Sequence, residues 1–355
     1  MKKIFLESHH INNPYFGFGQ FNYHLIDAMA SAKKKDLKLV VHGKKTGELQ
    51  EEFGKDLEYK KYFSLRRYST FRTRKKYDLW HSMNQNTKIE PYHDLPYLLT
   101  VHNITHIKNP ENYMEEEVHQ RFQEKINRSH AITYISEYAK TSTHQFFNVP
   151  KVPEYVIYNG NPIKEINLTA DFKPSVNPRR PFLFSIGEFT ERKNFKSLVK
   201  MLTLLPDYDL IIAGKNSTSN AEEIRELVKK NNLQNRVFMP GKISEEEKQY
   251  YYQNCAAFVF PSLREGFGLP IIEAMRFAKP VFTSNNTSLP EIGGDLVFLW
   301  DNYDREEMVE IFHEGMRTFK MKQDWFEEKM VKRAKSFDWN TAADQYLNVY
   351  QSLLK

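Results

Sequence analysis

Glu265-Gly266-Phe267-Gly268-Leu269-Pro270-Ile271-Ile272-Glu273-Ala274-Met275 follows the apolar run 255–261, where Ala256, Ala257, Phe258, Val259 and Phe260 read as a buried strand. Two glycines then break the pattern, and Pro270 stands where the first turn of a helix tolerates proline. Residues 271–277 have helical spacing. The segment is therefore strand, tight glycine loop, helix N-terminus, and it aims free backbone N–H groups and the positive end of a helix dipole at one spot, which suits a phosphate. Glu265 and Glu273 would repel that phosphate, so their natural partners are neutral hydroxyls. A diphosphate flanked by sugar rings satisfies both features.

With Gly-Phe-Gly-Leu-Pro between the two glutamates and Glu-Ala-Met closing it, the stretch resembles the Glu-x7-Glu motif of the retaining family-4 glycosyltransferases. The resemblance implies the GT-B fold, an α/β architecture of two Rossmann-like, doubly wound parallel-sheet domains facing a cleft. It also implies transfer of a hexose from a nucleotide diphosphate sugar.

Length agrees: 355 residues are too many for one ordinary core and suit two domains. Strand and helix patterns alternate throughout, as a doubly wound protein requires. Residues 168–181 are polar and carry Pro174, Pro178 and Pro181. The expected division is thus an acceptor-side domain over 1–173, a nucleotide-sugar domain over 174–338 and a closing helix over 339–355. In GT-B relatives such a helix returns to the first domain. Met1-Lys2-Lys3 leads directly into a short strand, no apolar stretch approaches the length of a membrane span, and Cys255 is the single cysteine. A cytoplasmic protein is expected, with peripheral contact at the inner face of a membrane as one option.

Ligands of open parallel sheets sit beyond the carboxyl ends of the strands, and further family resemblances fall there. Gly17-Phe18-Gly19 precedes the first helix, read as 20–32; it lacks the third glycine of a dinucleotide fingerprint and looks like the glycine loop that faces donor and acceptor. His102 closes the strand ending Leu98-Leu99-Thr100-Val101, where relatives place a histidine against the donor sugar; Asn103 stands where many have aspartate. A metal pair of His102 with His106 needs a helix that Thr100-Val101-His102-Asn103-Ile104-Thr105 argues against. Gly187-Glu188-Phe189-Thr190-Glu191-Arg192-Lys193-Asn194 resembles the stretch whose cations hold the diphosphate, except that Glu188 replaces a common arginine. Arg192 and Lys193 are left for that work, one as a two-pronged donor and one as a point charge.

Gly214-Lys215 and Gly241-Lys242-Ile243 match places where relatives contact the nucleobase, guanine or uracil. Ser288-Leu289-Pro290-Glu291-Ile292-Gly293-Gly294 follows the family pattern and reads as a capped helix start without chemistry of its own. Its context is similar to bacterial mannosyltransferases, which implies a mannose donor. Asp207-Tyr208-Asp209 precedes a strand rather than following one, so it reads as a loop and not as a metal-binding Asp-x-Asp.

The implied roles are these. Glu273 takes ribose hydroxyls and Glu265 donor-sugar hydroxyls; backbone N–H groups around Gly268 and Leu269, with Arg192 and Lys193, take the diphosphate; Gly187, Gly266 and Phe267 belong to the donor site; His102 orients the sugar. No metal or other cofactor is required, and the acceptor is a glycan or lipid-linked glycan. An epimerase of the same fold, or a silent sugar-nucleotide-binding partner of a glycan assembly complex, are the alternatives.

The net charge of +6 is concentrated early. Lys60, Lys61, Arg66, Arg67, Arg72, Arg74, Lys75 and Lys76 run without an acid, interleaved with Tyr62, Phe63, Tyr68 and Phe71. This composition fits a solvated loop or adsorption to an anionic membrane surface. Aromatics beside cations also stack nucleic-acid bases, but no nucleic-acid-binding motif accompanies them, and no nucleic-acid partner is expected.

Overall fold

The structure is a computed structural model that describes residues 1–13, 17–33, 36–104, 107, 111–169 and 171–355. The chain forms two units, residues 1–162 with 337–355, and residues 163–336.

In the first unit the elements run β1 Lys2–Glu7, α1 Gly17–Ser31, β2 Leu37–Gly43, α2 Thr46–Phe53, β3 Glu58–Lys61, β4 Leu79–Ser82, β5 Tyr97–Val101, α3 Glu117–Arg128, β6 Ala131–Tyr134, α4 Glu137–Phe146 and β7 Glu154–Val156. Among the described residues they build one parallel sheet of order β3-β2-β1-β4-β5-β6-β7. Its central strands are apolar on both faces, as expected where helices cover both sides. β3 is an edge strand carrying Lys60 and Lys61, a composition that discourages edge-to-edge pairing. The basic segment beyond it is not a featureless loop but two short 3-10 turns, Ser64–Arg67 and Ser69–Phe71.

The second unit runs β8 Phe182–Ile186, α5 Phe195–Leu202, β9 Asp209–Ala213, α6 Ser219–Lys230, β10 Val237–Gly241, α7 Glu245–Asn254, β11 Ala257–Phe260, α8 Leu269–Arg276, β12 Val281–Ser284, α9 Leu289–Gly293, β13 Phe298–Trp300, α10 Arg305–Met321 and α11 Gln323–Ser336. Its parallel sheet has the order β10-β9-β8-β11-β12-β13. Strand order reverses between β8 and β11, the switch point at which such sheets open a crevice. Asp207-Tyr208-Asp209 is not wholly a loop: Asp209 opens β9, almost fully buried, and Arg180 Nη1 holds it at 3.2 Å.

The units meet along the chain at Pro162/Ile163 rather than at 173/174. Side chains of α7 explain the difference. Gln249 accepts from Ile166 N at 3.0 Å and donates to Lys164 O at 2.9 Å, while Glu247 accepts from Ser175 N at 2.6 Å. These bonds satisfy the backbone of the proline-containing stretch within the second unit.

The last helix, α12 Trp339–Leu353, belongs to the first unit. Asp338 caps it through Thr341 N at 2.8 Å. Tyr350 OH lies 2.7 Å from His81 Nδ1, His81 Nε2 lies 2.7 Å from Thr100 Oγ1, and Thr100 Oγ1 is 3.3 Å from Tyr346 OH. This buried polar chain keys the helix to β4 and β5. A Cβ on Gly160 would stand 2.4 Å from Trp339, so the helix start also demands a bare backbone there.

Candidate functional site

β11 delivers the chain to the switch point, and Leu263 N then donates to Arg192 O at 2.8 Å, tying its loop to the 3-10 turn Glu191–Lys193 after β8. Gly268 caps α8 at φ 111°, in the left-handed region, and a Cβ there would meet Leu289 Cδ2 at 2.9 Å. Ser288 does not cap α9 with its side chain. Its hydroxyl lies 2.8 Å from Phe267 O and 3.1 Å from Glu265 O, and Thr287 Oγ1 accepts from Glu265 N at 3.0 Å. The stretch read as a capped helix start therefore holds the glutamate loop in shape.

Three groups lie 2.6 Å from Glu265 Oε1: Lys193 Nζ and Ser262 Oγ donate hydrogen bonds to it, and Arg192 Nη1 forms an ion pair with it. Burial raises the carboxyl's pKa, but the charges of Lys193 and Arg192 and the hydrogen bonds overcome it and hold Glu265 below the usual carboxylate range. Lys193 is itself nearly buried, its ammonium 4.5 Å from the ring centre of Phe260 and its stem along Gly187. Arg192 is 38% exposed and also donates to Arg264 O at 2.6 Å. The sequence reading kept the cations for phosphates and Glu265 for sugar hydroxyls. The structure joins all three in one cluster with a single net positive charge, and Oε2 takes none of those three donors.

Beside this cluster the strand ends carry glycines. Gly187, Gly214 and Gly241 stand side by side at the ends of β8, β9 and β10; Gly187 N donates to Ala213 O at 2.9 Å and Gly214 N to Gly241 O at 2.7 Å. A Cβ on Gly214 would lie 2.0 Å from Gly187 O. Lys215 Nζ pairs with Glu188 Oε1 at 2.9 Å, so the acid found in place of an arginine neutralises the neighbouring lysine. Lys242 is exposed just beyond β10. Gly266 and Phe267 are buried in the loop, and Leu269 opens α8.

Glu273 lies in α8, 6% exposed. Tyr252 OH donates to its Oε2 at 2.8 Å, and Lys248 Nζ is 3.8 Å from Oε1, both from α7. One oxygen expected to take ribose hydroxyls thus already holds a tyrosine hydroxyl. No sequence signal marked Tyr252, Lys248 or Ser262, because their partners lie from three to more than twenty residues away.

In the first unit His102 follows β5 and is buried. Its Nε2 is 2.8 Å from Met83 O, so it donates there and leaves Nδ1 as the acceptor. The rings of Phe18 and Phe21 meet it edge-on, and burial lowers its pKa to about 4. It is a neutral imidazole oriented by a carbonyl. His106 lies outside the described residues. Gly17 and Gly19 fall within the first turn of α1 rather than in a loop before it; Gly17 is open, whereas a Cβ on Gly19 would lie 1.8 Å from Asn13 O.

The structure adds a group the sequence reading missed. Glu7, fully buried at the end of β1, takes His9 Nδ1 at 2.6 Å and His42 Nδ1 at 3.2 Å. Burial alone would raise its pKa, but the two histidines hold it well below the usual range. Among the described residues no three His, Cys, Asp or Glu are grouped to hold a metal.

The buried histidines give a pH prediction. Desolvation lowers the pKa of His81 to about 3 and those of His10 and His102 to about 4, below the ordinary histidine value of 6.5. Between those limits the unfolded chain binds protons that the folded one refuses, so stability falls as pH drops through that window. Melting temperatures measured from pH 7 to pH 4 will decrease steadily from about 6.5 downward, and His102→Gln will flatten the slope.

Residues 168–331 match the family described as glycosyl transferases group 1. The chain is 25% identical to the Escherichia coli O-antigen chain mannosyltransferase B, covering 99% of this chain and all of that one. It is 30% identical to the Salmonella typhimurium O-antigen chain mannosyltransferase RfbU over 57% of each chain. Among solved structures, sucrose-phosphate synthase from Thermosynechococcus elongatus superposes with a TM-score of 0.72 at 19% identity, covering 99% of both chains. Anabaena HepE in complex with UDP and glucose gives a TM-score of 0.68 at 17% identity, covering 99% of this chain and all of that one.

Proposed function

We propose, from the premise that residues 168–331 are a glycosyl transferases group 1 domain in a chain of GT-B fold, that this protein is a retaining hexosyltransferase. It moves a hexose, with mannose favoured, from a nucleotide diphosphate sugar to a glycan or lipid-linked acceptor in surface polysaccharide synthesis. The observation that carries the reading is the Glu265–Arg192–Lys193–Ser262 cluster at the β8/β11 switch point, beside a rim of three glycines. Mannose rests on the two relatives named as O-antigen mannosyltransferases.

In this reading a diphosphate lies between the glycines at the strand ends and the N-terminus of α8, where the helix dipole favours anions. Arg192, the more exposed cation, meets the phosphates first. Lys193 shifts part of its charge from Glu265 to the leaving diphosphate as negative charge develops there. Glu265 keeps both cations in place and offers Oε2 to a donor-sugar hydroxyl. Glu273 binds the ribose through Oε1, with Tyr252 fixing the carboxylate's orientation. The new bond forms on the face the diphosphate leaves, and the departing phosphate oxygen takes the acceptor's proton. No metal is needed, since the cations and helix terminus supply the positive charge.

Work at a membrane-borne acceptor is consistent with the basic segment in the first unit; no described helix is long and apolar enough to cross a membrane. In this reading the protein works at the inner, cytoplasmic face of the membrane, held peripherally.

Incubation with a panel of GDP- and UDP-linked sugars, read as released nucleotide, tests the proposal. One donor will turn over slowly without acceptor. Glu273→Ala will raise its KM about tenfold, as loss of a charged hydrogen bond requires, with a smaller change in kcat. Absence of turnover with every sugar nucleotide would sink the transferase reading.

A further inference from the structure

A cavity of about 290 Å³ in the first unit lies between α3, the β4–β5 connection and the basic segment beyond β3. Six cations line it, Arg67, Arg72, Lys88, Arg121, Lys125 and Arg128, against three carboxylates. Two of the carboxylates are engaged. Glu90 takes Lys125 at 2.8 Å, Arg128 at 3.1 Å and the Tyr97 hydroxyl, while Glu117 pairs with Arg121 and, at 3.7 Å, Lys88. The third, Glu124, is exposed.

Among the described residues Arg67 and Arg72 have no carboxylate partner, and Arg72 Nε is buried without any hydrogen-bond acceptor. A buried guanidinium N–H left unmet is costly. The guanidinium groups of Arg67 and Arg72 line the cavity, and a phosphate, which accepts two parallel N–H groups from arginine, is the ligand that suits them.

The flanking surface says what carries that phosphate. Phe63, Leu65, Tyr68 and Phe71 are 50%, 38%, 55% and 51% exposed, all within the same basic segment. Large apolar side chains beside a phosphate pocket fit an amphipathic ligand, with acyl chains against the aromatics and the headgroup on the arginines. A nucleic-acid strand fits less well, because Glu90, Glu117 and Glu124 interrupt any continuous track for its phosphates.

We propose that this cavity is a lipid-phosphate site that seats the headgroup phosphate of a membrane lipid and so docks the first unit on the bilayer. It rests on the reading that the protein serves a membrane-borne acceptor. The test reads vesicle binding and not sugar transfer, so its failure is separable from failure of donor turnover.

Full-length protein is sedimented with phosphatidylcholine vesicles containing phosphatidic acid, and with vesicles brought to equal surface charge by oleate. Phosphatidic acid vesicles are expected to bind about tenfold more tightly. The variant Arg67→Gln/Arg72→Gln will lose that preference. The charge-matched Lys75→Gln/Lys76→Gln will keep it, with weaker binding to both vesicles, and Arg72→Lys, which keeps the charge but not the fork, will lose part of it. Melting curves establish that each variant is folded. Equal binding to both vesicles, or equal loss in the two double variants, would show charge adsorption alone and overturn the proposal. So would displacement by free pyrophosphate or by a short single-stranded oligonucleotide at the concentrations at which the lipid binds.

Discussion

Glu265→Ala is expected to lower donor turnover at least a hundredfold and to cost about 3–5 kcal/mol of stability, the range for breaking a buried ion pair from one side. Glu265 Oε1 is the common partner of Arg192, Lys193 and Ser262. Without it Lys193, only 10% exposed, is a buried ammonium facing Arg192 with no directly paired carboxylate. Arg192 can turn to water, but Lys193 is boxed in by Phe260 and Gly187. The two losses are separable. In Glu265→Gln/Lys193→Met the stranded charge is gone, and most of the stability will return, since replacing a whole buried pair by groups of similar volume is often neutral. Turnover will not return, because both the carboxylate and the ammonium are missing. Urea denaturation beside released-nucleotide kinetics distinguishes the effects; an alanine variant as stable as the parent would show that the cluster is solvated and weak.

The second large effect comes from a residue with no side chain. Gly214 ends β9 at φ 127°, where L side chains are strained, and a Cβ would fall 2.0 Å from the Gly187 carbonyl. That neighbour is backbone and cannot rotate away. Gly214→Ala must pry β8 from β9 or break the bond from Gly214 N to Gly241 O. The expected cost is about 3 kcal/mol or more, combining backbone strain with a forced displacement. A urea midpoint lower by about 1 M or more is the readout. Gly47→Ala is the control of opposite sign. It lies in α2 with nothing within 4 Å of its Cβ, and alanine there will stabilise the chain by about 0.5–1 kcal/mol.

What the sequence disclosed and what it hid divide along physical lines. The strand, glycine loop and helix around Glu265 were legible because each is a local pattern: an apolar run, two glycines and a proline in a first turn. The carboxyl-end positions of Gly187, Gly214 and Gly241 followed from the same strand endings. What could not be read was which charge meets which. Lys193 and Glu265 are 72 residues apart, and only the β8/β11 adjacency in the sheet brings them to 2.6 Å. The same holds for Glu7 and His42, 35 residues apart and brought together by the pairing of β1 with β2. Gly17 and Gly19 read as a glycine loop ahead of the first helix, yet they stand in the first turn of α1, whose N–H groups have no intrahelical partners in any case. The domain boundary was drawn at a proline-rich stretch, but hydrogen bonds from Gln249 and Glu247 decided which unit owns it.

In the proposed mechanism the second unit grips a sugar nucleotide through the cations that Glu265 holds. Calorimetric titration of GDP-mannose and UDP-glucose into the full-length protein and into Arg192→Ala/Lys193→Met tests it directly. One of the two ligands will bind the parent saturably and the double variant at least a hundredfold more weakly, as expected when two charge-assisted contacts to a diphosphate are lost. Equal affinity in parent and variant, or no saturable binding of either nucleotide to the parent, would contradict it.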